Sequence, residues 1–196
     1  MDLIFSYLSD HALELVGLLL GLGYLYFEYH ANALVWLFAL VMPMVSMFVY
    51  FNAGLYADFA INIYYLLAAG YGLLKWRGTK QKKGVKITNI STPLALLSIA
   101  ATLVIWLGIY LVLHYFTNSN VPVLDALTTA VSIVGTWMLA RKYIEQWVAW
   151  ILVDAICVGL YIYKNIPFYA VLYAVYTVVA FFGYFKWRRL MAAQAD

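Results

Sequence analysis

Long apolar runs, cut by short polar or helix-breaking clusters, fill almost the whole chain. The clusters are Asn52-Ala53-Gly54, Thr92-Pro93, Asn118-Ser119-Asn120 and Asn165-Ile166-Pro167. A helix needs about 20 largely apolar residues to cross a bilayer, with roughly 17 to 25 tolerated. Cutting the chain at its breakers predicts seven spans, over 12–27, 33–51, 55–74, 93–116, 123–140, 144–163 and 167–185. The one long polar stretch runs from Lys75 to Thr92. Nothing reads as a strand, and the alternation that a membrane β-barrel requires is missing. The first run has no basic segment ahead of it and holds Glu14 inside it, which reads as a membrane helix rather than a cleaved signal.

The same pattern occurs twice, 111 positions apart, without a gap. Trp36 matches Trp147, Tyr50 matches Tyr161, Tyr65 matches Tyr176, Ala69 matches Ala180 and Gly72 matches Gly183. Lys75-Trp76-Arg77 matches Lys186-Trp187-Arg188, and Glu14 falls opposite Asp125. A weak repeat in so apolar a chain predicts a transporter of two structural halves with its ligand at their junction.

Composition sets the class. Of 196 residues 66% are hydrophobic and 11% charged, and the mean hydropathy is +0.86. A soluble domain is about half apolar and about a quarter charged. The chain is therefore expected to be an all-α integral membrane protein, a single membrane domain over 1–196. The single cysteine, Cys157, excludes an internal disulfide and reads as a small packing residue. The net charge of +3 is no nucleic-acid signal, because the basic residues gather at span ends.

Those basic residues orient the spans. Lys75, Arg77, Lys80, Lys82, Lys83 and Lys86 follow span three, Arg141 and Lys142 follow span five, and Lys186, Arg188 and Arg189 follow span seven. Seven spans put these three sites on one side and leave Lys164 alone on the other. The positive-inside rule makes the crowded side cytoplasmic, with the N-terminus outside and the C-terminus inside. Both repeats then end in Lys-Trp-Arg at the same face and run parallel. Two three-span units joined directly would be antiparallel, so span four reverses the chain between them. The plan is 3+1+3: repeat one about 12–77, linker loop and helix four about 78–116, repeat two about 121–189. This is the architecture of the SWEET carriers, an analogy of fold alone.

Polar groups inside a bilayer are costly and need a partner or a role. Trp147, Trp150 and Asp154 are spaced i, i+3, i+7 and share one face of span six. Two indoles beside a carboxylate suit a flat cationic ring, the indoles stacking and the acid compensating the charge. Two plainer roles exist: Trp147 as an interfacial anchor, and a protonated Asp154 as a helix–helix hydrogen bond. In span three, Asp58, Asn62 and Tyr65 share a face, and the repeat partners of Asn62 and Tyr65 are Tyr173 and Tyr176. These four form a polar-tipped lining, or else tyrosine glue between helices. Pro43 aligns with Asp154 and is expected to kink span two as a hinge. Glu14 and Asp125 lie at helix starts, where the dipole stabilises them; the alternative is an outer gate. Gly17 and Gly21 form a small-xxx-small face. Trp76 and Trp187, flanked by lysine and arginine, read as interfacial anchors.

No catalytic, metal or cofactor site is expected. His11, His30 and His114 sit at span edges without ligand spacing, and neither a Walker A pattern nor G-x-S-x-G occurs. An intramembrane enzyme and a non-transporting receptor are the weaker alternatives to a carrier. Asp154 also leaves proton coupling open.

Ala140-Arg-Lys-Tyr-Ile-Glu-Gln-Trp-Val-Ala-Trp150, Val153-Asp154 and Gly159-Leu-Tyr-Ile-Tyr-Lys164 resemble the PnuC family of vitamin transporters. So do Leu127-Thr-Thr-Ala130, Ala53-Gly-Leu-Tyr-Ala-Asp58, Tyr71-Gly72 and Trp76. The resemblance implies a seven-helix 3+1+3 carrier of the bacterial inner membrane. It would move nicotinamide riboside, or in sister groups thiamine or riboflavin, by facilitated diffusion, with a cytoplasmic kinase trapping the vitamin. Trp147 and Trp150 would stack on the ring, and residues 154 and 62 would hydrogen-bond it. Departures matter. Some nicotinamide riboside carriers have Asn at the position of Asp154 and Gln at that of Asn62. Many have Glu-Asn-Trp in place of Glu145-Gln146-Trp147, and the family can have Asn where Met42 stands. A carboxylate only accepts hydrogen bonds, which suits the amino group of thiamine's pyrimidine. Nicotinamide riboside is the first expectation and thiamine a close second. The expected partners are the vitamin, the lipid bilayer and that kinase, with self-association compatible and nucleic acid excluded.

Overall fold

The computed structural model describes residues 12–52, 56–77, 85–165 and 167–194. They form seven helices: α1 (Ala12–Tyr29), α2 (Val35–Asn52), α3 (Tyr56–Arg77), α4 (Thr92–Phe116), α5 (Pro122–Ala140), α6 (Gln146–Tyr163) and α7 (Pro167–Ala192). Each expected span has its helix. Proline stands within the first two positions of α4 and α5 and opens α7, where its missing N–H costs nothing. The largest departure is the end of α7, which continues seven residues past 185 to Ala192. Lys186, Arg188, Arg189 and Leu190 are good helix formers, so the helix outlasts the apolar run. α2 passes through Pro43 as one helix.

The chain divides into two compact units, Met1–Gly84 and Val85–Asp196. In the first, α1 packs on α2 and α2 on α3. In the second, α4 packs on α5, α5 on α6 and α6 on α7.

The repeat is visible in backbone detail. After α1 the N–H of Ala31 donates to the Glu28 carbonyl and that of Asn32 to the Phe27 carbonyl, both at 2.9 Å. After α5 the N–H of Lys142 donates to Leu139 at 2.9 Å and that of Tyr143 to Met138 at 3.0 Å. Each donor and acceptor is displaced by 111 positions. Ala31 and Lys142 both adopt the left-handed conformation, at φ 51° and 56°. This is a Schellman stop, in which glycine normally fills the left-handed position. Burial also pulls the Lys142 ammonium below its ordinary pKa.

The core seam repeats as well. Trp36 is fully buried on α2, its ring lies edge-to-face on Trp76 at 5.6 Å, and it presses on Gly72. Trp147 on α6 is fully buried, lies edge-to-face on Trp187 at 5.7 Å, and presses on Gly183. In each seam the glycine lets one helix approach an indole that a methyl group would hold off. Trp76 and Trp187, expected at the membrane boundary, are buried instead. Edge-to-face packing on a second indole outweighs the interfacial preference of their basic neighbours.

The outside of the molecule is apolar and its inside carries polar groups. Leu96, Leu97, Leu103, Val104 and Leu107 of α4 are exposed, while Gln146 and Asp154 are buried. A water-soluble protein shows the reverse. Among the described residues four helices are long and apolar enough to cross a membrane: Thr92–Phe116, Pro122–Ala140, Gln146–Tyr163 and Tyr169–Ala192.

The segment before α4 is ordered by hydrogen bonds rather than solvated throughout. Thr88 and Tyr143 form an isolated parallel bridge: the Thr88 N–H donates to the Lys142 carbonyl, and the Ile144 N–H to the Thr88 carbonyl, both at 3.1 Å. The N–H of Ile90 donates to Glu145 Oε2 at 3.0 Å, and that of Ile87 to Gln194 Oε1 at 3.0 Å. This strap ties the α5–α6 turn to the end of α7.

Candidate ligand site on helix α6

Helix α6 starts at Gln146 and places Gln146, Trp150 and Asp154 one turn apart along one ridge. Asp154 is 8% exposed. Its charge reaches Cys157 on its own helix and Tyr173 and Tyr176 on α7. It makes no hydrogen bond or ion pair with a described residue. Lys164, ten residues along α6's chain, is engaged elsewhere: its ammonium lies 3.4 Å from Asp125 Oδ1. Ser119 Oγ donates to the other Asp125 oxygen at 3.0 Å. Asp125 is thus neutralised inside the second unit, beyond what a helix dipole supplies.

Trp150 is half-buried, with its ring against Gly135 of α5, where an added Cβ would lie 3.7 Å from the indole. Its Nε1 is buried and has no hydrogen-bond partner. A buried N–H beside a buried acid, neither bonded to a described residue, is a site that lacks a partner. Trp147 lies differently. It is 0% exposed, held between Gly183 and Trp187, and offers no free face. Of the two indoles expected to stack on a ring, only Trp150 borders the acid's ridge with surface to offer.

Tyr173 stacks on Tyr161 at 5.2 Å. Tyr176 meets the Tyr173 ring edge-on at 5.7 Å. Tyr173 and Tyr176 stand on α7, within reach of the Asp154 charge. In the first unit Asn62 and Tyr65 are half-buried, and the Tyr65 ring meets Tyr64 at 5.5 Å. Pro43 is buried on α2. The side chains of Glu14 and Asp58 lie outside the described residues.

Three further groups stand out in the structure. Gln146 is fully buried, and neither amide atom has a partner. Tyr161 was noted as a repeat match but joins the Asp154 neighbourhood through Tyr173. Glu28, near the end of α1, is buried close to Tyr24. Spacing on α6, i+3 and i+7 from Asp154, would have found Cys157 and Tyr161. A cleft of about 630 Å³ lies further along the α6–α7 pair, lined by Val158, Tyr161, Ile162, Asn165, Ala170, Val171 and Ala174. Its walls include the outward-facing Ile162 and Val171, so it opens on the apolar exterior and suits a polar vitamin poorly.

Comparison with known proteins gives the family. The family model described as nicotinamide mononucleotide transporter matches residues 11–189. The nicotinamide riboside transporter PnuC of Neisseria mucosa is 27% identical over 170 residues, which cover 80% of this chain and 64% of that protein. The chain therefore spans somewhat less than two thirds of that relative's length. PnuC of Escherichia coli K12 is 24% identical over 204 residues, covering 89% of this chain and 84% of that one. The crystal structure of a vitamin B3 transporter, PnuC, is similar with a TM-score of 0.73 and 26% identity, covering 98% of this chain and 87% of that chain.

Proposed function

The chain belongs to the nicotinamide mononucleotide transporter family, and from that premise we propose that it carries a small vitamin with a cationic aromatic ring across the bacterial inner membrane. Nicotinamide riboside is the first substrate, in keeping with the names of its relatives. All seven helices span the bilayer in a 3+1+3 plan, with the N-terminus outside and the C-terminus in the cytoplasm. Transport is facilitated diffusion, and a cytoplasmic kinase traps the product.

One observation carries the reading. Asp154 and the indole N–H of the half-buried Trp150 lie one turn apart on α6, both groups buried and neither hydrogen-bonded to a described residue. The indole stacks on the ring and the carboxylate compensates its charge, in a low-dielectric setting that strengthens both effects. Tyr173 and Tyr176 line the opposite helix, and Asn62 and Tyr65 are their counterparts in the first unit. Trp147 acts on the ligand through Trp150's position, by fixing how closely α6 packs on α7. Pro43 provides a hinge in α2, and Glu14 with Asp125 belongs to the outer end of the pathway.

Thiamine is the second reading. Asp154 favours it, because a carboxylate accepts from an aminopyrimidine but gives nothing to a carboxamide carbonyl. Ligand-induced thermal stabilisation separates the two. A ligand at 100 times its Kd stabilises the folded state by about 2.7 kcal/mol. Nicotinamide riboside should raise the melting temperature more than thiamine or riboflavin at equal concentration. Asp154→Asn should widen the gap between the first two. No shift with any of the three would overturn the substrate class.

A further inference from the structure

The two copies of the repeat differ most tellingly along the ligand ridge. Gln146, Trp150 and Asp154 of α6 correspond to Val35, Ala39 and Pro43 of α2. The backbone around the first position is the same in both copies. The Val35 N–H donates to the Asn32 carbonyl at 3.1 Å, and the Gln146 N–H to the Tyr143 carbonyl at 3.2 Å. Both side chains are 0% exposed. The fold thus fills this buried place with valine once and with an amide once. Packing does not demand the amide.

The amide is also unsatisfied. Neither Oε1 nor Nε2 of Gln146 has a hydrogen-bond partner. A buried amide without one costs the desolvation of its polar atoms. The Nε1 atoms of Trp36 and Trp147 are unpartnered in both copies, so they belong to the seam. Gln146 and Trp150 are unpartnered only where the ridge is polar.

Resting on the transport reading above, we propose that Gln146 is a further ligand-binding residue that reads the hydroxyl-bearing end of the substrate. At 1.5 Å rise per residue, Gln146 stands about 6 Å from Trp150 along the axis and about 12 Å from Asp154. That span matches a molecule with a flat ring in the middle, a hydrogen-bonding substituent at one end and a sugar or hydroxyalkyl group at the other. Trp150 takes the ring and Asp154 the substituent. Gln146, which both donates and accepts, takes a hydroxyl, which does the same.

The test compares nicotinamide riboside with 1-methylnicotinamide, which keeps the cationic ring and carboxamide and lacks the sugar. Affinities of the purified full chain are measured for wild type, Gln146→Met and Gln146→Val, the latter restoring the residue of the first copy. Both variants should melt no lower than wild type, since an unpartnered buried amide is removed. Their affinity for the riboside should fall roughly three- to tenfold, while that for 1-methylnicotinamide holds. Trp150→Ala should weaken both ligands together. Equal effects on the two ligands, or none on either, overturn the proposal. So does a variant that melts well below wild type, because the amide would then be a paired structural group. If wild type binds neither ligand, the substrate reading itself falls, and that outcome is separate from a variant that binds like wild type.

Discussion

Gly183→Ala should destabilise the protein although alanine is the better helix former. A Cβ at this position would stand 2.6, 2.7 and 2.8 Å from Cη2, Cζ3 and Cζ2 of Trp147. Carbon atoms settle at about 3.5–4.0 Å, so the ring would have to retreat by about 1 Å. It has nowhere to go, being 0% exposed with the Trp187 ring 5.7 Å away. Overpacking of this kind costs about 1–3 kcal/mol, and the helix propensity of alanine over glycine offsets about 1 kcal/mol of that. The net expectation is a loss of up to about 2 kcal/mol. Gly159→Ala on α6 is the matched control. Nothing lies within 4 Å of its added methyl, so only the propensity gain remains. Thermal melting of the two purified variants should therefore move in opposite directions. Trp147→Phe, which withdraws the outer ring atoms, should relieve Gly183→Ala in a double-mutant cycle. If Gly183→Ala melts at or above wild type, in step with Gly159→Ala, the seam is not close-packed as described.

The repeated Schellman stops make a second expectation. Ala31→Gly and Lys142→Gly should each raise the melting temperature, because a left-handed residue with a Cβ costs about 1–2 kcal/mol that glycine does not incur; unchanged or lower melting would contradict the strain. A third concerns the strap. Glu145→Ala removes the acceptor of the Ile90 N–H, so hydrogen exchange at Ile90 and its neighbour Thr88 should quicken while exchange in the middle of α5 stays as it was; unaltered protection at Ile90 would show that the carboxylate does not hold the segment.

The fold was highly legible in the residues. Apolar runs between breakers located every helix among the described residues, because a membrane span must satisfy its backbone internally and so must be long and unbroken. The repeat was legible too, and its matched residues turned out to be the seam: Trp36, Gly72 and Trp76, then Trp147, Gly183 and Trp187. Their role was not legible. A tryptophan between lysine and arginine looks like a boundary anchor, and only the helix pairing brings it onto an indole some 40 residues away. Asp125 was seen at a helix start, but its partner Lys164 is 39 positions distant and meets it through the turn of the second unit. Gln146 was legible only as a departure from a family motif and not as a buried group, because a glutamine beside a charged turn reads as solvated. Its burial is a property of the tertiary packing, which no local pattern encodes. Trp150 and Asp154 were legible as a pair, since their spacing fixes one face whatever surrounds them.

The most direct test of the ligand ridge is uptake of labelled nicotinamide riboside into proteoliposomes with no ion gradient. Wild type should equilibrate the vitamin across the membrane without concentrating it, and Trp150→Ala and Asp154→Ala should each slow entry at low substrate while melting near wild type. Entry at the wild-type rate in both variants would contradict the account.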